Sequence, residues 1–142
     1  MTNEDWAKVE EILTHEWIQV GLLCDGYRLT LQLSRIKPMQ LGITFFVNGW
    51  LRGKWILNDC EERMRFFRPL KRPVHSARYR STYMKLSKET RDHLGWDMSQ
   101  TVIYWQPWWP SFRALKAHLI KYNKSIELVP MTTAEMQGAY EL

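Results

Sequence analysis

The chain has 142 residues, 45% hydrophobic and 25% charged, a balance that fits one domain with a real core and excludes a chain disordered throughout. No run approaches the roughly 18 apolar residues of a bilayer span, and the acidic start MTNEDWAKVEE lacks the basic-then-apolar pattern of an export signal, so a soluble cytoplasmic protein without membrane contacts is expected. The net charge of +5 is unevenly held: residues 1–62 carry six basic and nine acidic side chains, residues 63–91 ten against one, and residues 92–142 four against five.

In chain order, Asn3 to Glu16 reads as a helix, with Trp6, Val9 and Leu13 on one stripe beside Ile12 and acidic residues in the first turn. IQVGLLC and YRLTLQLS flank Asp25-Gly26, a dipeptide suited to a two-residue hairpin turn. The register that follows puts Cys24 opposite Tyr27, Leu22 opposite Leu29, Val20 opposite Leu31 and Ile18 opposite Leu33, leaving Arg28, Thr30, Gln32 and Ser34 on a wet face. A second hairpin, LGITFFV and WLRGKWIL around Asn48-Gly49, should put Val47 opposite Trp50 and Phe46 opposite Leu51, and the break at Lys37-Pro38 joins the two hairpins into a meander.

Asn58 or Asp59 can then cap a short helix with Cys60, Met64 and Phe67 inward, ended by Pro69. Leu70 to Leu86 shows no helical period and reads as an arm or working loop. Ser87 to Leu94 reads as a helix closed by Gly95, TVIYW as a strand, and Ser111 as the cap of a helix carrying Phe112, Leu115, Leu119 and Tyr122 inward. SIELV makes a last, edge-like strand before a loose tail over residues 131–142. The expected architecture is therefore one α+β domain over residues 1–130: a mostly antiparallel sheet of two β-hairpins in a meander plus one or two further strands, with N-terminal and C-terminal helices packed on it.

The segment 63–91 holds a net +9 in an otherwise slightly acidic chain, and such a concentration steers polyanions or an acidic protein face toward it. Arg63, Arg65, Arg68, Lys71, Arg72, Arg78, Arg80, Lys85 and Lys88 are the candidate phosphate or carboxylate contacts, with Phe66, Phe67, Tyr79 and Tyr83 as candidate stacking groups. The alternative for this block is a merely solvated face. Pro107-Trp108-Trp109-Pro110 spells the motif of a chromatin-reader family, but there the motif leads into a strand and here into a helix, so a rigid aromatic turn over the core is the preferred reading. A second reading makes Trp105, Trp108 and Trp109 an exposed stacking platform or a hot spot for docking a protein.

Signatures of catalysis are sparse: the chain has no Gly-rich phosphate loop, GxSxG elbow, HExxH or Cys/His cluster, and His15, His75, His93 and His118 stand alone as expected surface residues. Binding is favoured over catalysis, with no catalytic residue, metal or cofactor expected; a metal-independent ribonuclease built on His75, Arg78, Tyr79 and Arg80 is the remaining enzymatic alternative. Cys24 and Cys60 fit neither a disulfide framework nor a metal site and read as buried thiols in a reducing cytosol.

CDGYRLTL (24–31), VNGWLRGKWI (47–56) and YWQPWWPSFRALKAHLIKYNKSIELV (104–129) together resemble a family of small accessory proteins encoded by temperate bacteriophages and prophages. The resemblance implies the bacterial host cytoplasm and an accessory role by binding, such as inhibition of a host defence system like a CRISPR effector, and it transfers no site residue. Taken with the basic block, the expected partner is nucleic acid, a nucleoprotein complex or an acidic face of a host protein.

Overall fold

Thr2 starts the fold with a reciprocal cap: its Oγ1 accepts from the Asp5 N–H while the Asp5 carboxylate accepts from the Thr2 N–H, each at 3.1 Å. Helix α1 (Asn3–Ile12) follows in the computed structural model, which describes residues 1–129 and 139–141. Its stripe Trp6, Val9 and Leu13 is buried as the spacing predicts, but the helix stops at Leu13 instead of reaching Glu16. Trp17 then adopts a left-handed φ of 71° and donates its N–H to the Leu33 carbonyl at 3.3 Å. That kink removes the expected pairing of Ile18 with Leu33 and leaves Ile18 exposed.

Strands β1 (Gln19–Cys24) and β2 (Tyr27–Lys37) pair with Cys24 opposite Tyr27, Leu22 opposite Leu29 and Val20 opposite Leu31. Positive φ at both Asp25 (48°) and Gly26 (89°) gives the turn whose twist matches the strands. Burial shuts the Cys24 thiol away and pushes its pKa up to about 12, with the nearby Asp25 carboxylate adding to the effect. Strands β3 (Gln40–Val47) and β4 (Trp50–Arg52) form the second hairpin around Asn48 and Gly49, with Val47 opposite Trp50. The expected longer strand through Leu57 is cut short. At Gly53 the backbone becomes helical, and the turn α2 (Lys54–Leu57) carries Trp55 into the core, edge-on to Phe67 at 6.4 Å.

Helix α3 (Glu61–Phe66) starts from Cys60, one residue past the expected caps, and buries Phe66 and Phe67; Met64, expected inward, is 49% exposed. The main sheet runs β8-β1-β2-β3-β4-β9, where β8 (Ile126–Val129) lies antiparallel to β1 and β9 (Ala139–Glu141) parallel to β4. Of the expected tail, residues 131–138 and 142 fall outside the described residues, while 139–141 pair as this strand. The short β7 (Trp108–Trp109) also pairs with β3, at Ile43 and Thr44. Helix α6 (Phe112–Tyr122), capped by Ser111, adds Leu115 and Leu119 to a core shared with Leu22, Leu29, Leu31, Phe45 and Phe67. The protein is an α+β fold, mostly antiparallel, with N- and C-terminal helices.

The second sheet face is not uniformly wet. Thr30 is 2% exposed and sits opposite the buried Phe46. Farther along, Gln19, Gln32, Ser34 and Thr44 link side chain to side chain at 2.8 to 3.1 Å, which satisfies polar groups that the alternation alone would have assigned to solvent, the buried Gln19 Oε1 excepted.

All of these elements lie in one unit, Met1–Arg68 with Trp105–Leu142; Pro69–Tyr104 form a second unit inserted between them in sequence. β5 (Arg68–Pro73) pairs with β6 (Thr101–Gln106), both strands lying in that second unit except for Arg68, Trp105 and Gln106, and helices α4 (Ala77–Met84) and α5 (Lys88–Leu94) lie between these strands in sequence. The stretch 70–86, expected to lack regular structure, is thus largely strand and helix.

Candidate nucleic-acid interface

The basic block divides by what its cations touch. Arg65 is tied into the first unit: its guanidinium meets Asp25 at 2.7 Å, Glu61 at 2.6 Å and the Asn123 side-chain oxygen at 3.0 Å. Asp25 also accepts the backbone N–H groups of Lys124 and Ser125, each at 2.8 Å. The Lys124 N–H, then Arg65 and Ser125, hold this carboxyl at about 2, well below its ordinary range. Arg63 lies over the Trp105 ring at 4.6 Å, and Arg68 donates to the Gln106 side chain at 2.8 Å. These three arginines, predicted as contacts for a partner, already have intramolecular ones.

The tryptophans do not form the exposed platform of the second reading. Successive side chains of a strand point to opposite faces, so Trp108 and Trp109 on β7 cannot share one surface. Trp109 points into the core, 3% exposed, and its indole N–H donates to the Phe66 carbonyl at 2.9 Å. Trp108, on the other face, covers Gly42 so closely that an added Cβ would lie 2.6 Å from its ring and 2.8 Å from Ile36. Gly42→Ala is accordingly expected to cost about 1–3 kcal/mol through overpacking, read as a lowered denaturant midpoint, with Trp108→Leu in the same chain recovering part of it. Trp105 is half-buried against the core. The preferred reading of the Pro-Trp-Trp-Pro string, an aromatic turn over the core, holds for Trp109 alone: the pair is a short strand, and Trp108 covers the other face.

The second unit is different. Within residues 69–104 seven basic side chains face three acidic ones, a net of +4. Lys71, Arg72, Arg78, Lys85 and Lys88 are all exposed, and none forms an ion pair with a carboxylate among the described residues. Arg80 and Arg91 are half-buried, and Arg91 reaches the Met84 sulfur at 3.8 Å.

Local capping builds this unit. Ser76 accepts the Tyr79 N–H at 3.1 Å to start α4, Ser87 accepts the Thr90 N–H at 3.2 Å to start α5, and Gly95 closes α5 in a left-handed conformation. Asp97 holds the next turn by accepting both the N–H and the hydroxyl of Ser99, which lowers its pKa, and the Val74 N–H bonds the Gln100 carbonyl at 2.9 Å. Trp96 is thereby fixed between α5 and this turn. Tyr79 and Tyr83, one helical turn apart on α4, both stack with it, at 6.1 and 5.8 Å, and His75 stacks with Tyr79 at 5.3 Å. Tyr83 is buried and donates its hydroxyl to the Arg91 carbonyl at 3.0 Å. Tyr79 and Trp96 are 44% and 47% exposed.

Of the predicted stacking groups, Phe66 and Phe67 are core residues and Tyr83 is buried; only Tyr79 remains open, and Trp96 joins it without having been singled out from sequence. Its one signal was the preceding Gly95, a helix terminator that fixes the next residue. Of the four histidines expected at the surface, His15 and His93 are exposed and His118 is not. His118 is buried, with Nε2 3.0 Å from the Met64 carbonyl, so the ring donates there; burial holds its pKa below the usual value. His75 forms no hydrogen bond among the described residues. No group of three or more potential metal-ligating side chains occurs among those residues, and no helix among them is long and apolar enough to cross a membrane. No protein-family model, curated protein or solved structure matches this chain.

Proposed function

We propose that the protein acts by binding nucleic acid, or a nucleoprotein complex, through the basic unit 69–104. The observation that carries this reading is the set of five exposed cations without carboxylate partners among the described residues, in a unit of net +4. Such groups lose no intramolecular pairing when they meet phosphates, and each contact releases condensed counterions. The resemblance to phage and prophage accessory proteins supports a setting in the bacterial host, with interference in a nucleic-acid-guided defence complex as the corresponding role.

Titrating labelled DNA and RNA across a salt series tests this. Four to five phosphate contacts predict a slope of about −3 to −4 in log affinity against log salt. Reversing Arg78 and Lys85 to glutamate should flatten the slope by about 2 and weaken binding at low salt at least tenfold. Absence of binding by the wild type at low salt would end the proposal.

A second reading, docking of a protein, finds its support away from the tryptophans. On β6, Val102, Ile103 and Tyr104 are all exposed, Ile103 at 57%, in a two-stranded sheet whose other strand carries Pro69, Lys71, Arg72 and Pro73. Prolines and charges guard the β5 edge, whereas β6 presents an uncharged β-branched edge open to strand addition. If docking is the activity, Ile103→Lys abolishes recovery of the host partner while nuclease treatment of the lysate does not.

A further inference from the structure

We infer that the unit 69–104 takes single-stranded nucleic acid, its bases stacking on the open side of the His75–Tyr79–Trp96–Tyr83 column while the surrounding lysines and arginines hold the backbone. This rests on the nucleic-acid reading above and names its substrate class. The column is anchored at one end, where Tyr83 is buried and bonded to the Arg91 carbonyl, and its middle members Tyr79 and Trp96 are each nearly half exposed. Neighbouring ring planes lie within 21 to 27° of parallel with centroids 5.3 to 6.1 Å apart, so the rings are offset and each covers only part of the next one's face. Large aromatic groups held in fixed orientation yet left in water contribute little to a core. They do offer a preorganised π-face, so an arriving base loses its own freedom without also having to order the protein.

Stacking distinguishes strand states. In a duplex the base faces are already covered by their neighbours and only edges and phosphates are presented, so an exposed ring face gains nothing until the bases are unpaired. An unpaired strand offers both faces of each base, and every base has one to give, so the site should tolerate sequence. Arg78 precedes Tyr79 on α4, and Lys71 and Arg72 lie on β5 just before His75, which places cations beside the column in sequence on both α4 and β5. Without an RNA-specific contact to a 2′-hydroxyl, the shared chemistry is a single strand of either sugar.

Fluorescence anisotropy with the full chain and labelled oligo-dT, oligo-rU and a mixed-sequence duplex, each of about 12 nucleotides per strand, tests the inference. The wild type should bind both single strands more tightly than the duplex. Trp96→Ala and Tyr79→Leu should each weaken single-strand binding about 5- to 100-fold and bring the single-strand to duplex ratio toward one, whereas Tyr79→Phe retains it. Circular dichroism and thermal melts show whether each variant is folded. Should Trp96→Ala unfold the unit, Tyr79→Leu against Tyr79→Phe decides, because the buried anchor Tyr83 is untouched. Equal affinity for duplex and single strands, or a folded Tyr79→Leu that binds single strands like wild type, would overturn the inference while leaving the electrostatic reading intact. Failure of every oligonucleotide to bind at low salt would instead overturn both.

Discussion

Trp109→Ala is expected to lower the unfolding free energy by about 3–5 kcal/mol, the range for deleting a large buried aromatic. The side chain fills the core beside His118, at 4.9 Å between rings, and its removal leaves a cavity among buried residues. Trp109→Phe should cost less. It retains most of the apolar contact but deprives the Phe66 carbonyl of its indole donor, a loss of about 1–3 kcal/mol for an unsatisfied buried acceptor. Denaturant titrations with an unchanged slope check both values. The prediction also separates roles. A Trp109→Ala variant of undiminished stability would show that the core assignment is wrong and would return this residue to the protein-docking reading.

The hairpins were legible because two independent local rules agreed. Asp25-Gly26 and Asn48-Gly49 fix two-residue turns, and period-2 alternation then admits one register, so Leu22 opposite Leu29 and Val47 opposite Trp50 followed. The rules failed where the backbone departs from extension without a sequence marker they include. Trp17 takes a left-handed φ normally left to glycine or asparagine, and Gly53 enters a helical turn to bury Trp55 where the residue types favour a strand. Helix α4 escaped notice for another reason: it buries only Tyr83, so its sequence carries hardly any amphipathic signal, although Ser76 marked its cap.

The candidate site was legible as charge and illegible as geometry. Counting cations located residues 63–91, but Arg63, Arg65 and Arg68 find partners in long-range contacts; Arg65 meets Asp25 across 40 positions of sequence. Arg63 and Arg65 do have carboxylates four residues earlier, Asp59 and Glu61, which Lys71 and Arg78 lack; for Arg68 nothing local marks the difference. The split of adjacent Trp108 and Trp109 to opposite faces, by contrast, needed only the knowledge that they form a strand, and the helix after them had already argued against a chromatin-reader motif.

Acid should expose the part of stability that depends on Asp25. Its carboxyl titrates near 2 in the folded protein against an ordinary 3.8, so the unfolded chain binds the proton first as pH falls. The contribution is complete above about pH 4 and is lost as pH drops through the folded value near 2. Asp25→Asn should therefore lower the midpoint of denaturation at pH 6 but fall less steeply than wild type between pH 4 and pH 2, since asparagine tolerates the positive φ of the turn while carrying no titrating group. Arg65→Ala gives an intermediate result, because it removes the guanidinium and leaves the first cause of the depressed pKa, the Lys124 N–H, in place beside that of Ser125. Melts of the three proteins at matched ionic strength check the ordering. An Arg65→Ala curve parallel to that of Asp25→Asn would mean that the guanidinium alone fixes the carboxylate. A wild-type curve flat from pH 4 to pH 2 would mean that this junction of β1, β2, α3 and the chain after α6 contributes nothing that protonation can remove.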